Sequence, residues 1–239
     1  HPPHASIDGT LSTSSPNEDT VWMEVLPKTE IKPDTHNFIE VKSSERLNYI
    51  RFNIYPDGGV ARLRIYGHPI PAWQQHDPTG VHELSAIKNG GHIVGYNDAH
   101  YGNPWVILSP GRGVDMGDGW ETRRRREPGN DWIIIALGAR GIVEQIELDT
   151  AHFKGNYPDR CSVEATTLED TNETSLIHEG VNWLNLMDEQ KLSMDRIHTF
   201  ESDKINSIGP ASHLRLSIYP DGGVSRFRAF GRLASPKTI

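Results

Sequence analysis

Apolar and polar residues alternate along much of this chain with a period of two. In Tyr49–Tyr55, Ile50, Phe52 and Ile54 alternate with Arg51, Asn53 and Tyr55. After a short break, Ala61, Leu63 and Ile65 alternate with Arg62, Arg64 and Tyr66. Successive side chains of a strand point to opposite faces, so this pattern predicts two strands, each with one apolar face. The break reads Pro56-Asp57-Gly58-Gly59. Proline presets φ for a turn, and glycine permits the left-handed residue that closes it. The pattern returns near the C-terminus, with Leu214, Leu216 and Ile218, then Phe227 and Ala229, facing inward. Residues 132–137 and 143–148 read as further strands. Helical periodicity is weak, and residues 183–192 fit a short helix or a strand with a turn. The expected class is all-β, with two packed antiparallel sheets per repeat.

The two hairpins are copies. Residues 51–67 and 215–231 align without gaps, 164 residues apart, and most of the seventeen positions are identical. The likeness extends backwards. Trp22 aligns with Trp183, and His36-Asn37-Phe38 with His198-Thr199-Phe200. Pro2, Ser6, Ile7 and Asp8 align with Pro158, Ser162, Val163 and Glu164. Residues from about 95 to 156 have no counterpart upstream. The expected organisation is therefore residues 1–67 as the C-terminal part of a first repeat, 68–94 as a linker, and 95–239 as a complete second repeat. The linker is rich in Pro, Gly, His and Gln, and Pro69 and Pro71 disfavour regular structure at its start. A chain that starts at His1, inside such a repeat, is expected to be a processed chain or a fragment.

Composition narrows the class. The 239 residues are 36% hydrophobic and 23% charged, as in a globular protein able to bury a core without staples. The lone cysteine, Cys161, cannot bridge internally, which favours a reducing, cytoplasmic setting. No apolar run approaches the roughly 20 residues of a membrane span, and no signal-peptide pattern opens the chain. The net charge of −8 argues against nucleic acid as the main partner. It leaves room for an arginine-lined pocket that takes a small anion, and for a homo-oligomer.

Four groups of residues could carry chemistry. Each hairpin places three arginines on its polar face, Arg51, Arg62 and Arg64 in one and Arg215, Arg226 and Arg228 in the other. Like charges on one face repel, so acidic groups are expected among them. Internal carboxylates, or stems packed over aromatics such as Tyr55 and Tyr219, would satisfy that bland reading. A fork for a substrate carboxylate is the functional one. The second group is residues 115–126, in which Gly117 and Gly119 flank Asp118, followed by Trp120, Glu121 and four arginines. In a strand, Glu121, Arg123 and Arg125 would share one face, and Thr122, Arg124 and Arg126 the other. A solvated basic edge is the bland alternative. Asp98 with His100, and Asp149 with His152, complete the set. Such pairs can orient an imidazole, move protons or ligate a metal. There is no Cys/His zinc cluster, phosphate-binding glycine loop or Gly-x-Ser-x-Gly elbow.

Together these strings resemble the allantoicase family. The resemblance rests on IYPDGGV in both hairpins, MGDGWETRRRR (116–126) followed by DWIIIALG (131–138), DTAHFKGNYP (149–158) and NDAHYGNP (97–104), and it covers nearly the whole chain. It implies tandem jelly-roll, galactose-binding-like β-sandwich repeats, here with the first repeat partial. It also implies hydrolysis of allantoate to (S)-ureidoglycolate and urea in purine degradation. A whole family member should carry a Gly-Trp-Glu motif in each repeat, and this sequence has it once. Chemistry on the motif positions assigns Asp118, Glu121, His100 and His152 as candidate acids and bases. Arg123, Arg226, Arg228, Trp120 and Asn156 are the candidate substrate contacts. A divalent metal such as Mn²⁺ could polarise a ureido carbonyl, although the sequence does not demand one. The rival readings are a non-catalytic galactose-binding-like module for a ligand or protein, and an inactive family member.

Overall fold

The computed structural model describes residues 1–67, 69–71, 73, 77, 79–168, 172–178 and 180–234. Positions 68, 72, 74–76 and 78 of the expected linker lie outside the described residues. The chain divides into two compact units, His1–Gly67 and His68–Ile239. Among the described residues every paired strand is antiparallel and there is no α-helix. No helix is long and apolar enough to cross a membrane.

The first unit holds a three-stranded sheet of β1 (His4–Thr10), β2 (Met23–Glu30) and β3 (Tyr49–Tyr55), ordered β2-β1-β3. Its register places Ile7 opposite Phe52 and His4 opposite Tyr55. Ala5 and Ile7 are buried, whereas Ile50 is 40% exposed.

The second unit is built on β4 (His82–Glu83), β5 (His92–Tyr96), β6 (Trp120–Glu121), β7 (Asp131–Asp149), β8 (Arg160–Thr166), β9 (Leu184–Lys191), β10 (Ile197–Phe200), β11 (Ala211–Tyr219), β12 (Gly223–Val224) and β13 (Arg226–Leu233). Within residues 183–192 the chain thus forms strand β9, Leu184–Lys191, rather than a helix. Two short strands, β4 and the first part of β5, fall within residues 68–94, which were read as linker.

The two strands expected at 132–137 and 143–148 are one strand, β7. Its first half lies between β5 and β11, and its second half pairs with β13 and β10. One strand therefore serves two groups of neighbours, as at the corner of a sandwich. Gly138 and Gly141 carry it through the change. A Cβ on Gly138 would strike the Asn89 carbonyl, and one on Gly141 would stand 2.7 Å from the Arg232 carbonyl oxygen. A bulge opposite Phe230 and Gly231 shifts the phase, so Ile133, Ile135 and Leu137 face the core before it and Ile146 and Leu148 after it. Leu214, Leu216, Ile218, Phe227 and Ala229 join them, all at 0% exposure, as their alternation predicts. Each such Leu, Ile or Phe contributes about 1.5–3 kcal/mol by leaving water.

The duplication is visible contact by contact. Arg51 pairs with Asp8 and its guanidinium lies 4.6 Å over the Trp22 ring. Arg215 pairs with Glu164 and lies 5.0 Å over Trp183. Ser6 Oγ is 3.0 Å from the Tyr55 hydroxyl, and Ser162 Oγ is 3.0 Å from that of Tyr219. Gly58 and Gly222 share a left-handed φ, 139° and 141°. Each of the two glycines packs against an aligned proline nitrogen, that of Pro2 or Pro158.

The copies differ in their second arm, and here the expectation of two equivalent hairpins is corrected. Residues 226–233 are strand β13, but residues 61–67 are not strand. β13 exists because it zips along β7. The first unit has no element equivalent to β7, so its alternating arm finds no ladder, and Leu63 and Ile65 stay 42% and 56% exposed.

Candidate active site

Four segments meet at one end of the second unit: residues 97–103, 111–126, 149–159 and 220–226. Their meeting is driven by close backbone approaches. β6 pairs with β12, placing Glu121 opposite Gly223. The Thr122 N–H donates to the Gly222 carbonyl, and the Gly222 N–H donates to Thr122 Oγ1, both at 3.1 Å. The Gly223 N–H donates to the Asn156 carbonyl at 2.8 Å. A side chain on Gly223 would run into the Phe153 ring, which is wholly buried. On the other flank, the His100 and Tyr101 N–H groups donate to the Glu121 carbonyl. The motif strings therefore fold against one another.

Within this meeting point the candidate residues fall into two clusters. In the first, Arg226 lies at 3% exposure and donates to Asp118 Oδ2 at 2.7 Å and to the Asp118 carbonyl at 2.8 Å. Burial alone would raise the Asp118 carboxyl. The hydrogen bonds from Arg226 and the Val114 N–H outweigh it and hold the group below its ordinary range. His152 approaches from the side with Nε2 2.8 Å from the Gly113 carbonyl oxygen, while its N–H donates to Asp195. Next to it, Arg112 donates to the buried Asp149.

The second cluster opens to solvent. Asn156 Nδ2 donates to Glu121 Oε1 at 2.5 Å, fixing one oxygen of a half-buried carboxylate. His100 is exposed, with its ring 4.3 Å from that of Tyr101. Arg123 is exposed and donates through Nε to Asp98 at 2.7 Å. Asn156 also lines a cleft of about 260 Å³ with Arg124, Gly155, Tyr157, Asp159, Pro220 and Asp221.

Three of the expected substrate contacts are engaged inside the protein. Trp120 is wholly buried, and its Nε1–H donates to the Asp98 carbonyl, because strand alternation in β6 turns Trp120 inward and Glu121 outward. Arg226 is spent on Asp118. Arg228 donates to Glu147 at 2.8 Å and to the Gly111 carbonyl at 2.5 Å, with Glu83 close by. The bland reading of the hairpin arginines therefore holds for Arg51, Arg215, Arg226 and Arg228. Arg124, Tyr157, Asp159 and Asp221 line the cleft without having been read as site residues. The alternation that sets Arg124 on the face away from Arg123 was the available signal.

Other chemistry is limited by placement. Cys161 is buried and its thiol is pushed up to about 12, so it is no nucleophile at neutral pH. Among the described residues, no group of three or more His, Cys, Asp or Glu side chains is arranged to hold a metal ion. A second cavity, about 300 Å³ and lined by Trp132, Ile134, Leu176, Ile177, His178 and Arg215, includes none of the candidate acids and bases.

Comparison with known proteins places this geometry. The family model described as the allantoicase repeat matches residues 1–70 and 82–234. A probable allantoicase of Burkholderia mallei is 48% identical over 97% of this chain and 69% of its own length. A probable allantoicase of Pseudomonas savastanoi pv. phaseolicola is 47% identical over 98% of this chain and 70% of its own. The crystal structure of allantoicase from Saccharomyces cerevisiae superposes with a TM-score of 0.77 at 35% identity, covering 97% of this chain and 68% of that one. The duplicated hairpin, the interlocked motif loops and these matches converge: this chain belongs to the allantoicase family.

Proposed function

We propose that this chain is an allantoicase, a hydrolase that takes allantoate and water to ureidoglycolate and urea in purine degradation. The geometric observation that supports a site in the second unit is the bond from Asn156 to Glu121, which joins two family-like motifs beside the cleft. Glu121 takes a proton from water as its oxygen bonds to the central carbon of allantoate. The carbon–nitrogen bond to one ureido group breaks, its electron pair stays on nitrogen, and a proton from His100 completes urea. Histidine suits the acid because it ordinarily titrates nearest neutral pH. His152 is assigned a positioning role, because its Nε2 is engaged by Gly113. Asp118 holds the 113–118 loop through Arg226, outside the proton path.

No step is routed through Mn²⁺, because the described donors do not converge as a metal site requires. In our reading the chain is cytoplasmic, in keeping with its lone buried cysteine. Its net charge of −8 supports a small anion bound at a local basic site, rather than nucleic acid. The alternative, a non-catalytic binding module of the same fold, predicts ligand binding without urea release. The test is urea release from allantoate by the full chain, with Glu121→Gln beside it. The reading requires release, with turnover lowered about 10²–10⁴-fold in the variant.

A further inference from the structure

The arginines around the site are nearly all committed to internal carboxylates. Arg112 is held by Asp149, Arg123 by Asp98, Arg125 by Asp131, Arg226 by Asp118, and Arg228 by Glu147. Arg124 is exposed, lines the cleft and has no ion-pair partner among the described residues. Its backbone is nevertheless fixed on both sides. Thr122 is locked to Gly222 by two hydrogen bonds, and the Arg125 N–H donates to Asp221 Oδ2 at 2.8 Å. Asp221 is thereby engaged, and the other carboxylate of the cleft, Asp159, is held by Lys191 with Arg160 close by. Asn156 lines the same cleft, and its amide grips Glu121.

A planar guanidinium on a fixed backbone, facing a cleft whose own carboxylates are occupied, suits a small carboxylate bound by two parallel hydrogen bonds. We infer that Arg124 is the residue that binds the substrate carboxylate. The inference rests on the allantoate reading and adds to it a specific anchor, in place of Arg226 and Arg228. It also explains the order of the motif. Glu121 and Arg124 are three residues apart on a segment pinned at Thr122 and at the Arg125 N–H, and Asn156 bridges from Glu121 to the cleft that Arg124 lines. Binding at Arg124 therefore orients the ligand relative to Glu121.

The test compares the full chain with Arg124→Gln, Arg124→Lys and the neighbouring exposed control Arg126→Gln. Allantoate binding is measured by calorimetry, kcat and KM by urea release, and binding is repeated with the uncharged carboxamide of allantoate. Arg124→Gln is expected to weaken allantoate binding and raise KM about 10–100-fold, with kcat changed far less. It should also abolish the preference for the acid over the carboxamide. Arg124→Lys should recover part of the affinity, and Arg126→Gln should match the unsubstituted chain, all with unchanged unfolding midpoints. If Arg124→Gln binds allantoate as well as Arg126→Gln does, while the unsubstituted chain still releases urea, the anchor is wrong and the allantoate reading stands. An unsubstituted chain that neither binds nor hydrolyses allantoate overturns both.

Discussion

Arg226 donates to Asp118 at 2.7 Å from a position only 3% exposed, so the Gly-Asp-Gly loop of the site is fastened to β13 by a nearly buried ion pair. The pair spans 108 residues of sequence. Removing Asp118 leaves a guanidinium that has lost its charge partner in a site closed to water. Breaking a buried pair in this way costs about 3–5 kcal/mol. Asp118 is itself about a quarter exposed, which places Asp118→Ala near the lower end, at about 3 kcal/mol. Urea denaturation of the purified variant measures it. A loss below about 1 kcal/mol would mean that the pair does not hold the loop.

The duplicated turns should respond differently to one substitution. Gly222 has a φ of 141°, and a Cβ there would stand 2.6 Å from the Pro158 nitrogen. Gly58 is under the same constraint in the first unit, so alanine at either position is expected to destabilise its own unit by about 1–3 kcal/mol. The next glycine separates the copies. A Cβ on Gly223 meets the Phe153 ring, whereas nothing lies within 4 Å of one on Gly59. Gly223→Ala should therefore be destabilising and Gly59→Ala nearly silent, within about 0.5 kcal/mol. Equal effects of the two substitutions on thermal unfolding would contradict the packing described for Phe153.

Stability should fall on mild acidification. Burial holds His213 and His198 below the ordinary histidine range, despite the bond from His213 to Glu173 and that from His198 to the Leu148 carbonyl. Glu173, between His92 and His213, is raised by burial but lowered further by those two histidines. A group with a depressed folded pKa contributes stability above its unfolded pKa and loses it as pH falls through the folded value. For the histidines the loss begins below about 6.5, and for Glu173 and Asp118 below about 4. Denaturation midpoints at pH 8 and pH 5.5 check the first window. A higher midpoint at pH 5.5 would contradict it. His198→Gln should flatten the slope.

Local chemistry made parts of this structure legible and left others hidden. The repeat could be read because the residues that touch within each unit, such as Trp22, Arg51 and Asp8, recur together as Trp183, Arg215 and Glu164. The state of residues 61–67 could not be read from their own alternation. A strand forms only where a ladder partner exists, and the partner of the second copy, β7, is far away in sequence. The same holds for the site. Period-two alternation at Trp120-Glu121 already implied one residue inward and one outward, so the burial of Trp120 was within reach. The capture of Arg226 by Asp118 was not, because nothing near either residue marks the other. The bond from Asn156 to Glu121 likewise depends on the β6–β12 pairing that draws their loops together.

Asn156 supplies a prediction of its own. If its amide only fills space, Asn156→Asp should cost stability alone. In the arrangement described here it would set two carboxylates against each other, disfavouring the ionised Glu121 that the reaction needs. Turnover should fall at least about tenfold at pH 7, with a smaller deficit at higher pH. Equal pH profiles for the two proteins would show that Asn156 does not tune Glu121.

We propose that Glu121, held by Asn156, acts on allantoate at this end of the second unit. This role is tested most directly by the rate of urea release from allantoate by the full chain beside Glu121→Gln, with the folding of both confirmed by their unfolding midpoints. The account expects measurable release by the unsubstituted chain. For the variant it expects a kcat about 10²–10⁴-fold lower with KM little changed. Equal release by the two folded proteins would contradict it and place the chemistry elsewhere.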